Sequence, residues 1–117
     1  MNNHQQKMLY LVVTGAPLTQ WTADAVATAE LAGWRTAVIA SPSAESWLAQ
    51  VNRDDVRAPV LTEHRDPNEA KRLPLPDVVL MAPATFNSVN KLATGIADTY
   101  ALSVMCEALS RRVPTVL

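Results

Sequence analysis

The chain has 117 residues, of which 49% are hydrophobic and 18% are charged, and its net charge is -1 at pH 7. This composition excludes a disordered chain, and the balance of charges argues against a nucleic-acid-binding surface or a polybasic membrane patch. No apolar run reaches the ~18–20 residues of a membrane span. The single cysteine cannot form an internal disulfide, so we expect a cytoplasmic protein.

The first half of the chain alternates apolar runs with helical patterns. Met8–Thr14 (MLYLVVT) lacks polar alternation, which is typical of a central strand covered on both faces. A helix is predicted over Thr19–Ala32, ended by Gly33, and a second strand over Trp34–Ala40. Ser43 is the predicted N-cap of the next helix. The first helix is expected to pack on the sheet through Trp21, Ala25, Ala29 and Ala32.

The second half begins with a stretch that carries few structural signals. Within Asn52–Pro76, which is rich in charge and proline, Ala58–Thr62 is the one candidate strand. Asp77–Ala82 (DVVLMA) then predicts a strong third strand. The pattern after it predicts a helix that stops at Gly95.

The last segment of the chain predicts one more helix and one more strand. Asp98 is the expected N-cap, and Val113–Leu117 is the expected strand. The residues at helical spacing that predict the buried stripe of this helix are Leu102, Met105, Cys106 and Leu109.

Strands separated by helices of this length predict parallel crossovers and a three-layer α/β fold. We expect residues 1–7 to form a flexible leader and residues 8–117 to form one domain. Because the sequence ends within a strand, two alternatives stay open. Either the domain ends with that strand, or a longer domain is truncated at its C-terminus.

Three loops follow the carboxyl ends of predicted strands, where open α/β sheets bind their ligands. They are residues 15–17, 41–43 and 82–88, and each leads into a helix N-terminus that suits a phosphate group. The chain has only three glycines, so neither a G-x-G-x-x-G motif nor a Walker A loop can be written. This favours mononucleotide binding. The alternative is that Thr19 and Ser43 are ordinary helix caps.

Residues 82–98 (APATFNSVNKLATGIAD) resemble the signature of the homo-oligomeric flavin-containing decarboxylase family. The family pattern is a Pro-Ala-Ser-Ala-Asn-Thr loop, a lysine a few residues later, and an Asn-Gly-Ile-x-Asp turn. Here the loop is Pro83–Ser88, the lysine is Lys91 and the turn is Thr94–Asp98. Members of the family include phosphopantothenoylcysteine decarboxylases, peptidyl-cysteine decarboxylases of lantibiotic maturation and, more distantly, flavin prenyltransferases.

The resemblance implies a flavodoxin-like, Rossmann-type subunit that binds FMN and assembles into trimers or multiples of them. The positions that it assigns to the cofactor are Gly15, Ala16, Pro17, Ser41, Ser43, Ala84, Thr85, Phe86, Asn87 and Ser88. An apolar surface on the last two helices, which includes Ile96, Tyr100, Val104 and Met105, is expected to form subunit contacts.

The resemblance further implies oxidative decarboxylation of a small-molecule or peptide cysteinyl substrate. Asn87 is the implied catalytic position, because its carboxamide can both donate and accept a hydrogen bond. His64 is the candidate base, although its neighbours Glu63 and Arg65 differ from the family context, and a solvated loop histidine is the alternative. An FMN reductase, a prenyltransferase-like enzyme and a non-catalytic flavin-binding oligomer stay open. No residues have metal-ligand spacing.

Overall fold

A computed structural model describes residues 6–15, 21–48, 56, 58–62 and 74–117. Its elements are β1 (Met8–Val13), α1 (Thr22–Leu31), β2 (Arg35–Ala40), α2 (Pro42–Leu48), β3 (Val60–Leu61), β4 (Val78–Met81), α3 (Phe86–Ala93), α4 (Tyr100–Ser110) and β5 (Thr115–Val116). In the described ranges, no helix is both long enough and apolar enough to cross a membrane.

The strands form one sheet in the order β3-β2-β1-β4-β5, and every neighbouring pair is parallel. This confirms the predicted parallel sheet, and its order is that of a Rossmann-type doubly wound fold. The chain winds outward from β1 through β2 to β3 and then crosses to β4 on the other side of β1. The direction of winding therefore reverses between β1 and β4, where such folds bind ligands.

The central strand β1 is buried along its whole length, as its unbroken apolar run predicts. On one face of the sheet, Tyr10 and Val12 pack in a cluster with Met105 of α4. On the other face, Leu11 and Val13 pack with Val26 of α1 and with residues of α2. Helices therefore cover both faces, and the three-layer architecture is confirmed.

The predicted packing face of α1 is wrong. Trp21 is 56% exposed and Ala25 is also exposed, whereas Thr22 and Val26 are the residues that the helix buries. Burial of a valine removes more apolar area from water than burial of an alanine, so Val26 sets the rotation of the helix. Gly33, with φ at 95°, ends this helix region as predicted.

Two predicted N-caps are wrong by one or two positions. Helix α2 begins at Pro42, so Ser43 lies inside it; proline suits the first helical position because it lacks the N–H that would have no partner there. At α4 the cap is Thr99, whose hydroxyl accepts a hydrogen bond from the N–H of Leu102 at 3.2 Å. Asp98 forms an ion pair with Lys91 instead.

The packing of α4 corrects both expectations made for that segment. Leu102 and Met105 are buried as predicted, but Leu109 is 47% exposed and Cys106 is half-buried. Met105 belongs to the core and is not part of a surface patch. Tyr100 and Val104 are partly buried against the same core, and Ile96, 45% exposed, remains on the surface.

Candidate functional site

A cavity of about 210 Å³ lies at the carboxyl ends of β1, β2 and β4, next to the point where the winding reverses. The residues that line it are Thr14, Ser41, Pro42, Ser43, Met81, Asn87, Ser88, Lys91, Thr99, Ala101 and Leu102. They come from three strand ends and three helices, so the cavity is a product of the topology and not of one local motif.

Thr14, directly after β1, fastens the loop that follows β4. Its hydroxyl donates a hydrogen bond to the carbonyl of Pro83 at 2.6 Å and accepts one from the N–H of Thr85 at 3.0 Å. The peptide bond between Ala82 and Pro83 is cis. Because Thr14 is buried, these bonds fix the loop relative to the sheet at the mouth of the cavity.

Thr85 is also the N-cap residue of α3. Its hydroxyl accepts a hydrogen bond from the N–H of Ser88 at 3.2 Å and lies 2.9 Å from the Ser88 hydroxyl. These bonds satisfy the first turn of the helix locally and bury Ser88. Asn87, between them, is exposed and lines the cavity, so its carboxamide is available to a ligand.

The loop after β1 approaches α2 so closely that only glycine fits at position 15. A Cβ atom on Gly15 would lie 2.7 Å from the hydroxyl oxygen of Ser43 and 2.9 Å from its carbonyl oxygen. The hydroxyls of Ser41 and Ser43 lie 3.1 Å apart. One of these hydroxyls donates to the other at the end of β2, and the acceptor hydroxyl keeps its own proton to donate to a phosphate or ribityl oxygen.

Lys91 lies one helical turn after Asn87, so both side chains line the same cavity. Its ammonium group lies 2.8 Å from a carboxylate oxygen of Asp98. The hydrogen bond from Lys91 lowers the pKa of Asp98 below its usual value, because it stabilises the ionised carboxylate. Among the described residues that line the cavity, Lys91 is the one charged side chain.

The structure brings several predicted cofactor positions together. Ser41, Ser43, Asn87 and Ser88 line the cavity. Gly15 and Thr85 lie beside it in contact with lining residues, and Ala84 is a residue of the same loop. Phe86 is the first residue of α3. Ala16, Pro17 and His64 lie outside the described residues. The roles of all these positions stay predictions.

Sequence reasoning left Thr14, Lys91 and Thr99 out of the predicted site. Lys91 carried a usable signal, because it stands four residues after Asn87 in a predicted helix and so shares its face. Thr14 and Thr99 carried none, since their positions depend on how β1, β4 and α4 meet. Where the chain is described, no three histidine, cysteine, aspartate or glutamate side chains are grouped so that they could hold a metal ion.

A family model matches this chain, and several solved structures have the same fold. The model of a family described as Flavoprotein matches residues 2–117. No curated protein matches the sequence. Among solved structures, a PPC decarboxylase complexed with pantothenoylaminoethenethiol superposes with a TM-score of 0.76 at 14% identity, over 95% of this chain and 65% of that one. The chain thus spans about 65% of the length of that decarboxylase.

Two further structures have the same fold. The apo form of Burkholderia xenovorans DmrB, described as a cubic protein cage for redox transfer, superposes with a TM-score of 0.68 at 27% identity, over 96% of this chain and 67% of that one. The FMN-dependent cysteine decarboxylase SpaF superposes with a TM-score of 0.68 at 17% identity, over 90% of this chain and 65% of that one.

Proposed function

Because the chain belongs to the flavoprotein family, we propose that the cavity between β1, β2 and β4 holds FMN. One observation carries this proposal. The loop at Pro83–Ser88, predicted to bind the cofactor, lies fastened to the end of β1 and opens on the same cavity as the hydroxyls of Ser41 and Ser43. A cavity at the reversal point of a doubly wound sheet is where a mononucleotide is expected.

The donor set suits FMN. Hydroxyl groups of Ser41 and Ser43 match a phosphate or a ribityl chain, and the absence of a side chain at Gly15 lets Ser43 pack directly against the loop after β1. Met81 and Leu102 give the cavity an apolar wall, which suits an aromatic ring system. FMN, when bound, supplies two-electron redox chemistry.

The residues of this chain bind and orient the reacting groups. Asn87 can accept a hydrogen bond from a ring N–H or donate one to a flavin carbonyl or a substrate carboxylate. Thr14 positions the loop that carries Asn87, since it holds the backbone at Pro83 and Thr85. These contacts fix the backbone that carries Asn87 before a ligand arrives, which lowers the entropic cost of binding.

The activity that we assign to this site is flavin-dependent decarboxylation of a cysteinyl substrate. The motif over residues 82–98 supports it, and so does the common fold with PPC decarboxylase and SpaF. In this assignment Asn87 contacts the substrate or the flavin, and His64 is the candidate base. We also assign a closed homo-oligomer, a trimer or a multiple of it, supported by the assembly that DmrB forms and by the exposed side chain of Ile96.

A second candidate is redox transfer without loss of CO₂. It is supported by the description of DmrB, which is 27% identical to this chain, as a cage for redox transfer. Two assays separate the candidates. Release of CO₂ from a cysteinyl substrate supports the decarboxylase, whereas reduction of bound flavin by NADPH without CO₂ release supports the redox carrier.

The cofactor itself is tested by release and chromatography. Purified protein, or protein reconstituted with excess FMN, is expected to yield FMN; FAD, or no nucleotide, would overturn the proposal. Asn87→Ala is expected to weaken FMN binding about tenfold, since one or two hydrogen bonds to the ligand are lost. His64→Ala is the matched variant and is expected to leave FMN binding intact. An unchanged affinity in Asn87→Ala contradicts the role given to the motif.

A further inference from the structure

We propose that Lys91 and Asp98 form an exchangeable ion pair, in which Lys91 leaves Asp98 to bind an anionic oxygen of a ligand in the cavity. The ligand group is a phosphate or a carboxylate. The proposal deepens the proposed function, because it assigns the cation of the same site. It does not depend on which flavin chemistry the site performs.

The two partners of the pair occupy different environments. Lys91 lines the cavity and its side chain is 30% exposed, whereas Asp98 is outside the lining and its side chain is 51% exposed. Lys91 therefore borders the ligand space, while its ammonium group contacts the carboxylate at 2.8 Å. When Lys91 moves to a ligand, Asp98 stays accessible to water, so its charge keeps its hydration.

Asp98 is held in place by the turn between α3 and α4. The N–H of Ile96 bonds the carbonyl of Lys91 at 2.8 Å, and Gly95 takes a φ of 77°, which only glycine adopts readily. On its other side, Thr99 caps α4. The backbone is therefore fixed on both sides of Asp98, whereas the long Lys91 side chain has several rotatable bonds through which its ammonium group can change direction.

The exchange is favourable because an exposed single ion pair stabilises a protein only weakly. An anionic oxygen in the cavity meets the ammonium together with hydroxyl donors such as Ser43 and Thr99, which line the same space. Such a group of donors binds an anion better than one ammonium does. Asp98 thereby balances the positive charge of Lys91 until an anionic group of a ligand takes over as the partner of the ammonium group.

Variants of the two residues give opposite expected effects. Lys91→Met removes the cation and is expected to weaken anion binding about fivefold, whereas Asp98→Asn removes the competitor and is expected to strengthen it about fivefold. Lys91→Arg keeps the charge and retains most of the binding. The matched control is the exposed pair Arg111–Glu107 on α4, at 3.6 Å and outside the cavity lining. Arg111→Met and Glu107→Gln are expected to change nothing.

The probes are FMN, riboflavin and inorganic phosphate, measured on the full chain. If the anion is the cofactor phosphate, Lys91→Met lowers the affinity for FMN but leaves riboflavin within about twofold. If the anion belongs to a second molecule, both flavins are unaffected, and the thermal stabilisation that inorganic phosphate gives to the FMN-loaded protein is lost in Lys91→Met and enlarged in Asp98→Asn. Either result supports the exchange.

The proposal is overturned if Lys91→Met and Asp98→Asn change anion binding in the same direction, or if neither changes it. A same-direction loss would mean that the pair only holds the α3–α4 turn. Titration of the wild-type protein with flavin tests the proposed function separately. If the wild-type protein binds no flavin, the role of Lys91 is still tested by comparing how much inorganic phosphate stabilises the wild-type apoprotein and the same variants.

Discussion

Side-chain hydrogen bonds link distant segments of the chain at both ends of the β1–β4 strand pair, but the two ends differ in what these bonds do. At the amino end, the N–H of Met8 donates to the Asp77 carboxylate at 2.7 Å, and the Tyr10 hydroxyl donates to the carbonyl of Pro74 at 2.6 Å. At the carboxyl end, Thr14 bonds Pro83 and Thr85. Each end thus joins residues more than 60 positions apart through side chain to backbone bonds.

The difference lies in the size of the side chains around these bonds. At the amino end the large ring of Tyr10 fills the space between the sheet and α4. At the carboxyl end the residues around Thr14 are small and many carry hydroxyls, so the same fastening leaves a cavity lined by hydroxyl groups. The hydrogen bonds at the amino end therefore contribute to stability, whereas those at the carboxyl end contribute to stability and also position residues of the ligand cavity.

The largest effect expected at the carboxyl end comes from Gly15→Ala. The new Cβ would meet the side chain and the carbonyl oxygen of Ser43 within 2.9 Å, and a carbonyl in a helix cannot move without its neighbours. We expect the free energy of unfolding to fall by about 3 kcal/mol. Because Ser41 and Ser43 would shift with it, FMN affinity is expected to fall more than about tenfold. Chemical denaturation and flavin titration measure the two effects.

Gly33→Ala is the control for this variant. Gly33 has a φ of 95°, and in the described part of the chain no atom beyond its sequence neighbours lies within 4 Å of the place that a Cβ would take, so the substitution strains the backbone without a clash. A loss of about 1–2 kcal/mol with unchanged FMN affinity is expected. If Gly15→Ala behaves like Gly33→Ala, the contact with Ser43 does not shape the site.

Local pattern was enough to predict the main strands and their parallel sheet, because an unbroken apolar run such as Met8–Val13 has few other solutions. It was not enough to predict which face of α1 packs on the sheet, since Ala25 and Val26 each lie on a face that could do so. It also placed the N-cap of α2 at Ser43, whereas the helix begins at Pro42, which suits a first helical position.

The residues of the candidate site also differ in whether the local sequence predicts them. Residues of the predicted loops, such as Asn87, carry their signal in the local motif. Thr14 and Pro83 are 69 residues apart, and their bond depends on the register between β1 and β4. No local sequence pattern contains that register, so the hydrogen bonds that hold the loop could be identified only from the folded structure.

The second prediction replaces this fastening with an isosteric side chain. Thr14→Val keeps the volume but leaves the Pro83 carbonyl and the Thr85 N–H without the hydroxyl that pairs them. We expect the free energy of unfolding to fall by about 2 kcal/mol. FMN affinity should fall with it, because the loop that carries Asn87 loses its anchor. Thr14→Ser, which restores the hydroxyl, is expected to recover most of both losses in denaturation and flavin titration; failure to recover would contradict the anchoring role.

The smallest effect is expected at the amino end, in Tyr10→Phe. Loss of the hydrogen bond to Pro74 is expected to cost about 1 kcal/mol and to leave FMN affinity unchanged. The variant also changes the alkaline behaviour. Burial, with smaller contributions from Tyr100 and Glu107, raises the pKa of Tyr10 from 10.0 to about 12.

A raised pKa means that the folded protein holds this proton more tightly than the unfolded chain. Its contribution to stability is therefore complete below pH 10 and is lost as the pH rises through 12, with a slope of at most about 1.4 kcal/mol per pH unit. The stability advantage of wild type over Tyr10→Phe should therefore shrink and then change sign across this range, as measured by denaturation at successive pH values. A constant difference would show that Tyr10 ionises equally in both states. A loss of FMN affinity in Tyr10→Phe would instead break the distinction between the two ends of the β1–β4 pair.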